Sequence, residues 1–90
     1  MGPEPAKYVR SALEAVGLEI AALTVTHYAP EAFGNMVAEV RTNAGELKIV
    51  YDRGFYLEAR EPGRIGHIQG ELIDALISAR ESQGPLSTRR

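Results

Sequence analysis

The chain is predicted to fold as an α+β two-layer sandwich, ordered α-β-β-β-β-α, with a four-stranded antiparallel meander and both helices packed on one face of the sheet. Three observations predict this. Apolar residues recur at helical spacing in two segments, one near each end of the sequence. Between them, Leu18 to Glu61 is rich in Val, Ile, Thr and Tyr and is broken by three short turn-like clusters. Those connections are too short for crossovers, so neighbouring strands must pair antiparallel.

The first helix is "PAKYVRSALEAVG". Val9, Leu13 and Val16 make its apolar stripe, with Ala12 beside them and Lys7, Arg10 and Glu14 directed away. Pro5 suits the first turn, where its missing N–H costs nothing. Gly17 is placed to end the helix in a left-handed conformation. Four strands follow, expected at 19–28, 35–42, 46–52 and 55–61.

Register can be worked from the turns. A three-residue loop, Asp52-Arg53-Gly54, closed by Gly54 in the left-handed region, sets Tyr51 opposite Phe55, Ile49 opposite Leu57 and Leu47 opposite Ala59. Every pair on that face is apolar. A two-residue loop would set Ile49 opposite Glu58, and one residue of slip moves every side chain to the wrong face. Asp52 and Gly54 are thus explained as a bend. An Asn43–Glu46 loop would pair Thr42 with Leu47, Val40 with Ile49 and Ala38 with Tyr51. A turn near Glu31 and Ala32 pairs Val25 with Ala38 and Leu23 with Val40. The inner face then reads Leu23, Val25, Ala38, Val40, Leu47, Ile49, Tyr51, Phe55 and Leu57. The apolar phase of the first strand shifts between Ile20 and Leu23, which calls for a bulge at Ala21 or Ala22.

"EPG" ends the fourth strand, and a second helix is expected over 66–81. Its stripe is Ile65, Ile68, Leu72, Leu76 and Ala79, widened by Ile73 and Ile77. Gly70 lies inside it at a cost of up to ~1 kcal/mol relative to alanine, a position suited to close approach by the sheet or the other helix. The last residues, "GPLSTRR", are polar and broken by Gly84-Pro85, so residues 1–83 are read as a single domain and 84–90 as a disordered tail.

Composition narrows function. At 90 residues, the chain supports one core, and 44% apolar with 24% charged residues is the balance of a folded domain rather than a disordered one. A formal charge of −2 supplies no basic field, which argues against nucleic acid and leaves single-stranded nucleic-acid binding on the open sheet as the least favoured reading. The absence of cysteine excludes disulfides, thiolate nucleophiles and zinc–thiolate sites, and it fits the cytoplasm. "MGPEPAKYVR" does not read as a secretory signal, and no apolar run is long enough to span a membrane.

No catalytic constellation is visible, so the chain is read as a non-enzyme without cofactor or metal. His27 is placed at the end of the first strand, on the inner face beside Met36, as a rim histidine or a weak ligand candidate. His67, Glu71 and Asp74 fall at i, i+4, i+7 and read as a solvated helix face. Arg53 at the hairpin tip and Arg64 in "GRIG" before the second helix, with His27, make up the alternative reading, a small-ligand or anion site. The stronger candidate is the outer sheet face. There Val37, Val50 and Tyr56 form an apolar island, and Lys48 pairs with Glu58 across strands. This face, or an edge strand, is expected to bind another protein or a second copy of the chain.

Overall fold

A computed structural model describes residues 4–61 and 63–82. It contains helix α1 (Pro5–Ala15), strands β1 (Ile20–Ala29), β2 (Asn35–Thr42), β3 (Gly45–Tyr51) and β4 (Phe55–Ala59), and helix α2 (Gly63–Ser82). The strands form one antiparallel sheet in the order β1-β2-β3-β4, a meander. The tail expected over 84–90 lies outside the described residues.

Helix α1 begins with Pro5 in its first turn and ends where expected. Gly17 takes φ +84, its N–H donates to the Glu14 carbonyl, and the Leu18 N–H donates to the Leu13 carbonyl, both at 3.0 Å. This is a Schellman cap, and its apolar partners Leu13 and Leu18 are both in the core. The buried stripe is wider than the sequence suggests, because Tyr8 and Pro5 join Val9, Ala12 and Leu13. Helix α2 starts at Gly63, so Arg64, Ile65 and Gly66 belong to its first turn rather than to a preceding loop. Ile65, Leu72 and Leu76 are buried, whereas Ile77 is 42% exposed and lies off the packed side. Gly70 is also exposed, and a Cβ there would meet nothing within 4 Å, so close packing does not explain this glycine.

Both helices cover one sheet face and share one core with it. Val9, Leu13, Leu72 and Leu76 pack with Ala38, Val40, Leu47 and Ile49. The expected inner face is the observed one, extended by Met36. The β3–β4 register is the one the three-residue loop requires, with Tyr51 opposite Phe55 and Leu47 opposite Ala59. The left-handed residue is Arg53 (φ 61), however, and not Gly54. The Asp52 N–H donates to the Gly54 carbonyl at 2.9 Å, and the residue between them turns the chain.

The β2–β3 register differs from the expected one by two residues. Thr42 pairs with Gly45, Val40 with Leu47, Ala38 with Ile49 and Met36 with Tyr51. The turn is the pair Asn43-Ala44. The Ala44 N–H donates to the Thr42 hydroxyl at 3.0 Å, and that hydroxyl donates to the Gly45 carbonyl at 2.9 Å. Asn43 is held from outside, since its side-chain oxygen accepts from the Glu19 N–H and its own N–H donates to the Glu19 carbonyl. A shift of two keeps each side chain on its face, which is why the inner face was legible although the pairing was not.

Strand β1 carries the expected bulge between Ile20 and Ala22 and a second one between Val25 and His27. At the second, Val25 and His27 oppose the consecutive residues Ala38 and Val37, leaving Thr26 extra, with its hydroxyl donating to the Val37 carbonyl at 3.3 Å.

Candidate functional site

Cross-strand partners share a face, so the registers place the outer side chains directly. One row crosses the whole sheet: His27 opposite Val37, Val37 opposite Val50, and Val50 opposite Tyr56. The next row is Thr24, Glu39, Lys48 and Glu58. A third is Ala22, Arg41 and Glu46, extended to Arg60, whose N–H donates to the Glu46 carbonyl at 3.0 Å. All five residues expected for protein binding, Val37, Lys48, Val50, Tyr56 and Glu58, are therefore neighbours on one surface that no helix covers.

His27 corrects the sequence reading. It is an exposed outer-face residue, because the extra residue at Thr26 reverses the alternation after Val25. Tyr28 takes the place beside Met36 instead.

The face is graded. Its apolar row lies toward the β1–β2 and β3–β4 turns, and Tyr56 there is 60% exposed. Its charged rows lie toward the β2–β3 turn. They hold Lys48–Glu58 at 4.0 Å, Arg41–Glu46 at 3.6 Å and Arg60–Glu46 at 3.2 Å. All are solvent-exposed, so they orient side chains more than they stabilise the fold. Glu39 makes no ion pair among the described residues, although Lys48 is its cross-strand partner. A trough of about 450 Å³ runs along the charged rows, bordered by Thr24, Glu39, Arg41, Lys48, Glu58 and Arg60. The chemistry available on this face is desolvation of an apolar strip and exchange of ion pairs.

The structure does not assemble the alternative ligand set. Arg53 sits in the β3–β4 loop, with its guanidinium 5.3 Å from the centre of the Phe33 ring. Arg64 is exposed in the first turn of α2, beyond the other end of β4. His27 lies on β1, at the opposite edge of the sheet. His67, Glu71 and Asp74 are all exposed.

One corner escaped the sequence reading. The guanidinium of Arg80 lies 4.1 Å from the centre of the Tyr51 ring, and its Nη2 donates to the Phe33 carbonyl at 3.3 Å. Phe33, in the β1–β2 turn, has φ 63, a conformation that bulky residues rarely adopt. The Tyr8 ring meets Phe55 edge-on, with centroids 5.8 Å apart, and Phe55 meets Tyr51 at 4.8 Å. Among the described residues, neither the buried Tyr8 hydroxyl nor Arg80 Nε makes a hydrogen bond of full geometry, and the Arg80 side chain lies close enough to the phenol to favour its ionised form. Burial pushes the Tyr8 phenol up to about 12, against the opposing pull of the Arg80 charge. A signal existed in the sequence, since Arg80 continues the Leu72–Leu76 stripe at i+4 and Tyr8 precedes Ala12 by the same interval.

No protein-family model, no curated protein and no solved structure matches this chain.

Proposed function

We propose that this protein is a small non-enzymatic interaction module that binds a protein, either a different chain or a second copy of itself, through the outer face of its sheet. One observation carries the reading. Val37, Val50 and Tyr56 are consecutive cross-strand partners on a face that neither helix covers, with charged rows beside them. An apolar strip with a polar border is the composition of a binding patch. The face is favoured over the edges. Strand β1 carries two bulges, and β4 has only five residues, so neither edge offers a long flat template. The charged rows alternate in sign and form no basic stripe, which favours protein over nucleic acid. Among the described residues no helix is long and apolar enough to cross a membrane, and the expected site of action is the cytoplasm.

The test is a photo-crosslinking amino acid placed at position 50, with a control at the exposed position 14 on α1. A covalent protein adduct is expected at 50 and not at 14, and it should disappear when Tyr56→Asp is added. Adducts that form equally at both positions, or that survive Tyr56→Asp, would overturn this reading.

A further inference from the structure

We infer that the occupant of the outer face is a second copy of this chain, related by a two-fold axis that runs parallel to the strands between β2 and β3. The inference rests on the interaction-module reading and deepens it by naming the partner.

Two sheets packed face to face keep their strands nearly aligned, and a two-fold contact must place each surface on itself in reverse order. A two-fold axis along the strands reverses each cross-strand row without moving it along the strands. In the middle row, Glu39 then meets Lys48 of the second copy, and Lys48 meets its Glu39. In the outermost charged row, Arg41 meets Glu46 of the second copy. In the apolar row, Val37 meets Val50 of the second copy, and His27 meets its Tyr56. Each of these relations follows from the observed partners Glu39–Lys48, Arg41–Glu46 and Val37–Val50, with His27 and Tyr56 flanking them. No charged residue of β2 or β3 meets its own sign.

Total charge agrees. The two charged rows carry three acids, Glu39, Glu46 and Glu58, and three bases, Arg41, Lys48 and Arg60, so the face is neutral overall and does not repel its copy. Glu39, which makes no ion pair among the described residues, gains one. An axis perpendicular to the strands does less well, because only one row at a time would meet itself.

The contact is small. Four strands at ~4.8 Å spacing and three rows at ~6.7 Å project to roughly 400 Å² per copy, below the usual ~800 Å² per partner of a stable complex. The expected dimer is therefore weak, with dissociation in the micromolar range or above, and it exchanges rapidly.

Three measurements test it. Sedimentation equilibrium of the unaltered chain from micromolar to millimolar concentration should show a reversible monomer–dimer equilibrium. The chain has no cysteine, so Val37→Cys and Val50→Cys each supply one thiol. On mild oxidation of an equal mixture, the mixed 37–50 disulfide should form in excess over both symmetric ones. Finally, the acidic variant Arg41→Glu/Lys48→Glu and the basic variant Glu39→Lys/Glu46→Lys should each stay monomeric, and mixing them should restore a one-to-one dimer. A pairing within one chain cannot produce that rescue. The cysteine pair keeps the test decisive even where a charge variant does not fold. A chain monomeric at millimolar concentration overturns the second-copy inference, while an adduct to a different protein at position 50 still upholds the interaction module. A dimer without the 37–50 preference overturns the proposed axis.

Discussion

Replacing Tyr8 by phenylalanine separates two consequences of its burial. The side chain is 1% exposed, and among the described residues its hydroxyl makes no hydrogen bond of full geometry, with the Arg80 side chain close by. Burial raises its pKa from 10.0 to about 12. The folded state thus favours the neutral phenol, and the associated stability is fully present below pH 10. It is lost as pH rises from the unfolded value toward the folded one. A rise from 10.0 to about 12 makes the loss on the order of 2–3 kcal/mol. The informative quantity is the difference between the wild type and Tyr8→Phe, in which every other contribution of pH cancels. Urea denaturation at pH 8 to 12 should give a wild-type stability that falls relative to Tyr8→Phe by about 2–3 kcal/mol across the alkaline limb. At pH 8 the variant should be about as stable, since it removes a poorly satisfied buried hydroxyl and keeps the ring contact with Phe55. A difference that stays flat from pH 9 to 12 would refute the reasoning, for Tyr8 would then ionise as easily folded as unfolded.

Two glycines should respond with opposite sign to the same substitution. Gly70→Ala, exposed in mid-helix with nothing within 4 Å of the new methyl, should stabilise by about 0.5–1 kcal/mol and raise Tm by several degrees; an unchanged or lower Tm would count against the helix assignment there. Gly34→Ala should destabilise by about 1–2 kcal/mol, because φ is +74 and the new methyl would sit 3.0 Å from Arg80 Nη2, the atom that holds the Phe33 carbonyl. Leu72→Ala, with its side chain fully buried between the helices and the sheet, should cost about 2–5 kcal/mol in the same denaturation assay, and a cost below 1 would mean that the core is loosely packed there.

Most of the core and most of the open face were legible in the sequence alone. Period two in the strands and period three to four in the helices are written into Leu47-Ile49-Tyr51 and into Leu72-Leu76, and burial follows directly from them. The loop Asp52-Arg53-Gly54 made its own register legible, since a two-residue loop would set Ile49 against Glu58. Three further features depend on contacts between elements distant in sequence. The β2–β3 pairing is shifted by two residues because the Thr42 hydroxyl and the Glu19 backbone hold a tight Asn43-Ala44 turn. A shift of two is invisible to face periodicity, yet it is what brings Glu39 to Lys48, Arg41 to Glu46 and Val37 to Val50. The bulge at Thr26 moved His27 to the outer row, and nothing in the alternation of "LTVTHY" marks the extra residue. The corner of Arg80, Tyr51 and Phe33 joins residues from α2, β3 and the β1–β2 turn. Contacts between elements so distant in sequence depend on how the helices lie on the sheet, which local patterns do not encode. The face was legible because periodicity is local, and the order of charges across it was not because register is set by turns and long-range hydrogen bonds.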